Sequence, residues 1–248
     1  MAKPTIVFAP GAWYPPTVFD GITKKLNEHG YNCHTIAFPS IQQATTVQDL
    51  RPDIAAVRAI VEPEVNAGRE VIIVSHSWSG LPVASALDGL ERSDLENAGK
   101  KGGVIKLVYL AAFIPQVGES LISAFGGTPP PWYVLDEQNG TVTASDPFAL
   151  FFHDVPNGQE WAQTLRPHAW STKNSPATSA AYMKIPSLYL LCVDDFAIPL
   201  AVQQLMVDRA QRKGASIETE KINAGHSPWL VRPDEVVAHI RKQAGEEF

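Results

Sequence analysis

Short apolar runs alternate along the chain with longer stretches in which apolar residues recur every three or four positions. Each run is too short for a helix and rich in β-branched side chains, which is typical of strands buried in a parallel sheet. The runs predict strands at 5–8, 33–38, 71–74, 104–112, 187–193 and 215–220. The periodic stretches predict helices at 17–29, 54–65, 81–90, 200–209 and 233–243. This alternation predicts an α/β fold with a mostly parallel, doubly wound sheet.

One predicted helix also has a predicted orientation. In the helix at 200–209, the apolar side chains of Val202, Leu205 and Met206 fall at helical spacing. Side chains at such spacing share one face of a helix and normally pack against the core. We therefore expect all three to face inward.

The alternation breaks between residues 114 and 185. This stretch is rich in proline, glycine and aromatic residues and shows no clear strand. Flexible linkers do not carry so many large apolar side chains, so the stretch is interpreted as an inserted cap of helices and loops. The α/β core is then formed by residues 1–113 and 186–248, and the cap by residues 114–185, within one domain.

The turn after the strand at 71–74 carries the first candidate for chemistry. Ser77 lies between that strand and a helix, with the small residues Ser75 and Ser79 two positions before and after it. A serine at such a strand–turn–helix junction is typical of a nucleophile elbow, where small neighbours let the backbone bend and expose the hydroxyl. The usual flanking residues are glycines, and both are serines here. The alternative is therefore a serine-rich turn that caps the helix.

A carboxylate and a histidine follow later strands, in the chain order serine, acid, histidine. Asp194 and Asp195 end the strand at 187–193, and His226 stands in a loop between the strand at 215–220 and the closing helix. In open α/β sheets, ligands bind at the carboxyl ends of the strands, so these side chains are expected at the same edge as Ser77. A histidine that takes the serine proton, oriented by a carboxylate, is what makes a serine nucleophilic.

These motifs resemble those of the α/β-hydrolase fold superfamily over essentially the whole chain. Within it, the sequence resembles the plant methylesterase and hydroxynitrile lyase group and related fungal and bacterial hydrolases. Asp195 stands four residues before Pro199, as the acid of that group does, which favours Asp195 over Asp194. His226 matches the Gly-His-Ser-Pro loop of the group. The resemblance thus implies a catalytic set of Ser77, Asp195 and His226.

The resemblance also implies an oxyanion hole. Residues 10–13, Pro-Gly-Ala-Trp, match the His-Gly-Ala-Trp loop of the group, except that Pro10 replaces the histidine. The donors would then be the backbone N–H groups of Ala12 and Trp78. Both would point at the negative charge that develops in a tetrahedral intermediate.

Composition narrows the range of partners. The formal net charge of the 248-residue chain is −6, and Lys100-Lys101 is its longest basic run, so neither nucleic acid nor an anionic membrane surface is expected as a partner. Cys33 and Cys192 lack metal-ligand or redox spacing.

The N-terminus leads straight into a strand without a secretory signal, and a cytoplasmic location is expected. No metal motif or phosphate-binding loop is present, so no cofactor is expected.

The combined prediction is a serine hydrolase of carboxylic esters or lactones that works through an acyl-enzyme. The substrates would be small to medium hydrophobic or aromatic molecules. The residues predicted to contact them are Trp13, Trp132, Phe152, His153 and Trp170. The sequence leaves the natural substrate and the oligomeric state open, a homodimer included.

Two other functions stay open at this stage. One is a lyase of the hydroxynitrile type. In that group the resemblance implies a threonine in the oxyanion loop and a lysine directly after the histidine, where this chain has Gly11 and Ser227. The other is a non-catalytic ligand receptor on the same scaffold.

Overall fold

A six-stranded parallel sheet forms the centre of the computed structural model, which describes residues 2–248. Its strand order is β2-β1-β3-β4-β8-β9, and every neighbouring pair is parallel. A separate three-stranded antiparallel sheet has the order β5-β6-β7. The strands are β1 (Thr5–Ala9), β2 (Cys33–Thr35), β3 (Glu70–His76), β4 (Gly103–Leu110), β5 (Tyr133–Asp136), β6 (Thr141–Ala144), β7 (His168–Ala169), β8 (Ser187–Cys192) and β9 (Ile217–Ile222).

Helices connect and cover these strands, as the alternating sequence pattern predicts. The α-helices are α1 (Asp20–Glu28), α2 (Pro39–Gln42), α3 (Arg51–Asn66), α4 (Gly80–Ala86), α5 (Arg92–Asn97), α6 (Leu121–Ala124), α7 (Gly158–Thr164), α8 (Ser171–Asn174), α9 (Leu200–Arg212), α10 (Pro228–Val231) and α11 (Pro233–Gln243). Short 3₁₀ turns lie at Pro16–Phe19, Ser77–Ser79 and Ala181–Met183, and a π-helical turn at Phe148–Phe152.

The carboxyl ends of the central strands all reach one edge of the sheet. β1 and β4 flank β3, with Ala9 in register with Ser75, and His76 in register with Leu110. The strands β1 and β8 are buried along their whole length, and β3 is buried after its first residue. Parallel strands covered on both faces need such continuous apolar side chains, which explains the runs in the sequence. The loops that leave these ends build the candidate site.

The cap differs from its predicted form, since it contains strands. β5 and β6 form an antiparallel hairpin, and β7 adds two residues to it. The prediction of helices and loops alone was wrong on this point. These strands have two to four residues, and Val134 and Leu135 of β5 are exposed, so neither an apolar run nor a buried alternating face marks them in the sequence.

Helix α9 is turned differently from its predicted orientation. Met206 is buried, but Val202 and Leu205 are 38% and 60% exposed. Gln203 faces inward instead, because its side-chain amide forms hydrogen bonds with backbone groups at the end of β8. It accepts a hydrogen bond from the Cys192 N–H at 3.0 Å and donates to the carbonyl oxygens of Cys192 and Ile198 at 3.0 and 2.7 Å. These bonds, which the spacing of apolar residues does not reveal, set the rotation of the helix.

Across residues 2–248, none of the helices combines the length and the apolar character that crossing a bilayer requires.

Candidate active site

Ser77 lies at a strained turn between β3 and α4. Its φ angle is 53°, in the left-handed region that serine rarely adopts. Its carbonyl oxygen accepts a hydrogen bond from the Phe113 N–H at 3.0 Å, which ties the turn to the chain after β4. Its side chain is largely covered, with 8% of the residue exposed. A non-glycine residue held in this conformation at a strand–helix junction is the geometry of a nucleophile elbow.

The residues around Ser77 show how the turn forms without the usual glycines. Ser79 Oγ accepts a hydrogen bond from the His76 N–H at 2.9 Å and lies 2.8 Å from the carbonyl oxygens of both Ala9 and His76. Gly80 lets the start of α4 approach the backbone of Phe113 closely. A Cβ atom there would lie 1.9 Å from the Phe113 carbonyl oxygen. The small residue that the tight packing requires therefore stands one position later than in the usual pattern.

The acid and the histidine meet at the same edge of the sheet. Asp195 follows β8, His226 follows β9, and His226 Nδ1 lies 2.8 Å from Asp195 Oδ2, with both side chains buried. Asp195 Oδ1 accepts hydrogen bonds from the N–H groups of Ala197 and Ile198 at 2.8 and 2.9 Å. These bonds fix the carboxylate, which in turn fixes the imidazole with its Nδ1–H toward Asp195. Nε2 of His226 is then the nitrogen free to exchange a proton.

His76 supports the His226 loop from below. Its Nε2–H donates to the His226 carbonyl oxygen at 3.0 Å, and the two rings lie 4.6 Å apart. Burial lowers the pKa of His76 well below its ordinary value, and the nearby His226 lowers it further. His76 is therefore a neutral packing residue in the site, not a proton carrier.

The loop after β1 brings a second strained residue to the site. Trp13 has a φ angle of 73°, and its indole N–H donates to the Val142 carbonyl oxygen of the cap at 2.8 Å. Ala12, just before it, lies with Trp78 in the wall of the cavity that Ser77 and His226 also line. The backbone of two different turns thus meets beside the serine.

A small aromatic cavity covers these residues. Core and cap both contribute to its wall, and no Lys, Arg, Asp or Glu is among the lining residues. They are Ala12, Trp13, Ser77, Trp78, Phe113, Leu121, Phe125, Trp132, Tyr133, Phe151, Ala197, Ile198 and His226. Such a wall holds a small ligand mainly through apolar contact.

Comparison with known proteins agrees with this architecture. A model of the alpha/beta hydrolase family matches residues 6–239. The chain belongs to this family. The alpha/beta hydrolase nvfD of Aspergillus novofumigatus (strain IBT 16806) is 32% identical over 251 residues, which cover 99% of this chain and 98% of that protein.

Solved structures share the fold of this hydrolase at low sequence identity. A variant of the pyrethroid hydrolase PytH superposes with a TM-score of 0.78 at 19% identity, covering 98% of each chain. Polyneuridine aldehyde esterase superposes with a TM-score of 0.76 at 15% identity, covering 97% of this chain and 98% of that one. The predicted superfamily and fold class are confirmed.

The residues predicted to contact substrate separate into two groups in the hydrolase. Trp13 and Trp132 line the cavity. The other three lie outside its wall. Phe152 is buried against Tyr14 at 5.5 Å between ring centroids, His153 stacks on Phe196 at 4.1 Å, and Trp170 meets the edge of Tyr133 at 6.2 Å.

Several residues of the cavity wall escaped the sequence analysis. Phe113 stands shortly after β4, and its position beyond a predicted central strand is a signal that could have identified it. Leu121 and Phe125 come from α6, a four-residue helix without a periodic pattern, and from its C-terminal cap, and only the folded chain brings them to the site.

A cap carboxylate also reaches the His226 loop. Asp154 Oδ2 accepts a hydrogen bond from the Gly225 N–H at 2.6 Å. Its place in the cap, far from Gly225 along the chain, hid this contact from the sequence analysis. Among residues 2–248, no three His, Cys, Asp or Glu side chains come together as a metal site.

Proposed function

We propose that this hydrolase cleaves neutral carboxylic esters or lactones of small to medium aromatic or hydrophobic molecules through an acyl-enzyme on Ser77. The observation that carries the proposal is that Ser77, at its strained turn, lines the same aromatic cavity as His226, which pairs with the buried Asp195. A serine nucleophile and an oriented base are two requirements of this chemistry.

The reaction would proceed in two halves. Ser77 Oγ attacks the ester carbonyl carbon while His226 Nε2 accepts the hydroxyl proton, and the tetrahedral intermediate collapses as the proton passes to the leaving alcohol. Water, activated by the same imidazole, then attacks the acyl group and releases the acid. The Asp195 carboxylate stabilises the imidazolium through the 2.8 Å contact at Nδ1.

The backbone N–H groups of Ala12 and Trp78 are the proposed oxyanion donors. Both residues lie in the wall beside Ser77 and belong to turns that other contacts fix. A removed oxyanion donor typically costs about 10²–10³-fold in rate, so their placement carries a large part of the expected catalysis.

The oxyanion loop favours ester hydrolysis over the lyase alternative. A Cβ atom at Gly11 would lie 2.7 Å from His76 Nδ1 and 2.9 Å from Ser77 Cβ, so the threonine of the lyase group would displace the nucleophile. The position after His226 holds Ser227, whose Oγ lies 3.0 Å from the Tyr14 hydroxyl, in place of a lysine. The names of the two structural neighbours, an esterase and a pyrethroid hydrolase, are consistent with hydrolysis.

A panel of neutral aryl esters, methyl esters and lactones tests the proposal, with Ser77→Ala as the blank. We expect turnover of at least one class by the wild-type protein and a loss of several orders of magnitude in the variant. Binding without turnover across the whole panel would contradict hydrolysis and point to the receptor alternative.

A further inference from the structure

A lysine is completely buried between the cap and the core of this protein. Lys173, on α8 of the cap, has no exposed surface, although lysine is among the residues least often fully buried. It plays no part in the reaction described above and does not line the cavity. Burial of a lysine side chain is unfavourable unless its polar end finds partners, so the contacts of Lys173 are informative.

Lys173 ends a chain of polar contacts that crosses from the core to the cap. Its Nζ donates to His168 Nδ1 at 2.6 Å, and His168 Nε2–H reaches Ser40 Oγ at 2.8 Å. The Ser40 N–H donates to Asp53 Oδ1 at 3.0 Å. We refer to Lys173, His168, Ser40 and Asp53 as the lysine cluster. Ser40 and Asp53 lie on α2 and α3 of the core, and His168 lies on β7 of the cap.

The protonation states within the lysine cluster depend on one another. Burial lowers the pKa of Lys173 well below its ordinary value, which favours the neutral amine, and the charge of Asp53 opposes that effect. Burial raises the pKa of Asp53 to about 6, so its carboxylate is ionised at neutral pH. The pKa of His168 is lowered well below its ordinary value by burial and then by Lys173, so the imidazole is neutral and its Nδ1 accepts a hydrogen bond from Lys173 Nζ.

The remaining contacts of Lys173 Nζ are aromatic. Lys173 Nζ lies over the ring of Trp13 at 4.9 Å and over the ring of Trp78 at 5.0 Å from the centroid. His168 packs against Trp78 at right angles, with 4.4 Å between the ring centroids. The N–H groups of the buried amine therefore contact two indole faces and one imidazole, and contacts between an N–H group and an aromatic face are attractive.

Both tryptophans belong to the turns that carry the proposed oxyanion donors. Trp78 supplies one donor from its own backbone, and Trp13 directly follows Ala12, which supplies the other. Both indoles line the cavity, and both contact Lys173 Nζ, which is not part of the cavity wall.

We propose that Lys173 is a positioning residue that holds both oxyanion donors in place. Anchored by His168, its Nζ group contacts the rings of Trp13 and Trp78 and so fixes the spacing between the two turns that carry the Ala12 and Trp78 N–H groups. Its effect on the reaction passes through the indoles and needs no contact with substrate. This inference rests on the proposed function, because it assigns a role within the same site.

Labelling by an uncharged aryl fluorophosphonate tests the inference without knowledge of the natural substrate. Ser77 Oγ forms a bond to phosphorus, fluoride leaves, and the hydroxyl proton passes to His226, while the phosphonyl oxygen occupies the oxyanion hole. The concentration dependence of labelling separates the maximal rate constant, kinact, from the half-saturating concentration, KI. A misplaced donor lowers kinact, whereas a damaged cavity raises KI.

Three substitutions separate the contacts of Nζ from packing. Lys173→Met removes the Nζ group at similar length, Lys173→Gln keeps an N–H donor on a shorter side chain, and Lys173→Arg keeps N–H donors at the end of a long side chain. We expect Met and Gln to lower kinact about ten- to a hundredfold with KI little changed, and Arg to stay nearest to the wild type. Lys100→Met, at an exposed lysine, serves as the control and should label like the wild type.

The outcomes are distinct. Folded Met and Gln variants that label at the wild-type kinact, even with a lowered melting temperature, would overturn the inference and leave Lys173 a structural residue. If neither variant folds, Ser40→Ala decides, because it frees His168 Nε2 and loosens the anchor. A fall in kinact of about threefold or more supports the inference, and an unchanged kinact overturns it. A wild-type protein that is not labelled would contradict the proposed function itself.

Discussion

At the scale of the residue, backbone strain is concentrated beside the reaction centre. Ser77 and Trp13 both have φ angles in the left-handed region, at 53° and 73°. Each such residue costs about 1–2 kcal/mol, and the cost persists only where surrounding contacts enforce it. The Phe113 N–H holds the Ser77 carbonyl, and the Val142 carbonyl holds the Trp13 indole. The strained turns direct the Ser77 hydroxyl and the loop after β1 toward one cavity, which explains why the strain is retained.

The first prediction at this scale concerns Asp195, the proposed acid. Asp195→Asn should lower kcat/KM by about 10³–10⁴-fold, because an amide can present its N–H to Nδ1 and leave the wrong tautomer of His226. Asp194→Asn, at the neighbouring carboxylate, is the matched control and should retain most of the activity. Steady-state kinetics on the best ester of the panel measure both. Equal losses would show that Asp195 has no special role.

Gly11 gives a second prediction at this scale. Gly11→Ala places a methyl group 2.9 Å from Ser77 Cβ, so we expect kcat to fall about tenfold or more through displacement of the nucleophile. Gly21→Ala is the control, since a Cβ atom there meets nothing within 4 Å and the site lies in the exposed part of α1. That variant should keep full activity and gain about 0.5–1 kcal/mol of stability. Similar activities in the two variants would be evidence against the tight packing at Gly11.

At the scale of the element, the sequence predicts the core better than the cap. The buried strands of the central sheet are continuous apolar runs, and α11 begins at the predicted residue because Pro233 fits the first helical position. The sequence places Ser77 and Asp195 at the edge of the sheet because each follows one of these strands, and it places His226 there because that residue follows β9. Leu121 and Phe125 were not, because the cap elements are short and half-exposed. The lysine cluster was hidden for a related reason: four residues from four elements share no spacing.

Helix α3 carries an electrostatic prediction. Glu64 accepts hydrogen bonds from Arg69 at 2.6 and 2.8 Å and from the Thr5 hydroxyl at 2.6 Å, which ties α3 to β1. The bonds from Arg69, then from Thr5, lower the pKa of Glu64 from 4.5 to about 2. A carboxyl group whose pKa is lower in the folded state stabilises the fold above pH 4.5. That stabilisation is lost as the pH falls toward 2.

Urea unfolding from pH 7 down to the acid limit of the folded state checks this prediction. Glu64→Gln should cost about 1–2 kcal/mol at pH 7. The difference from the wild type should shrink as the pH falls below 4.5. Glu28→Gln, at an exposed position of α1, is the control and should have little effect. A difference between Glu64→Gln and the wild type that is constant with pH would contradict the assigned pKa.

At the scale of the whole molecule, core and cap enclose the cavity together. Trp13 of the core stacks on Phe151 of the cap at 5.5 Å, and the lining residues include no charged side chain. The buried Lys173 Nζ contacts the indoles of Trp13 and Trp78 but is not part of the wall. A charged substrate would therefore lose its hydration without gaining a partner.

The substrate preference follows from this wall. Neutral aryl esters should exceed carboxylate-bearing analogues of equal size in kcat/KM by at least about tenfold, because burial of an unpaired carboxylate is unfavourable. Paired assays at neutral pH, with the two series matched in leaving group, provide the comparison. A preference for the charged series would mean that the substrate binds elsewhere.

The central claim is that Ser77 carries the acyl group during turnover. The most direct measurement is acid quenching of the protein during hydrolysis of an activated aryl ester, followed by intact mass and peptide mapping. The account predicts a mass increase equal to the acyl group, located on Ser77 and absent from Ser77→Ala. Acylation of Ser75 or Ser79, or continued turnover by Ser77→Ala, would contradict it.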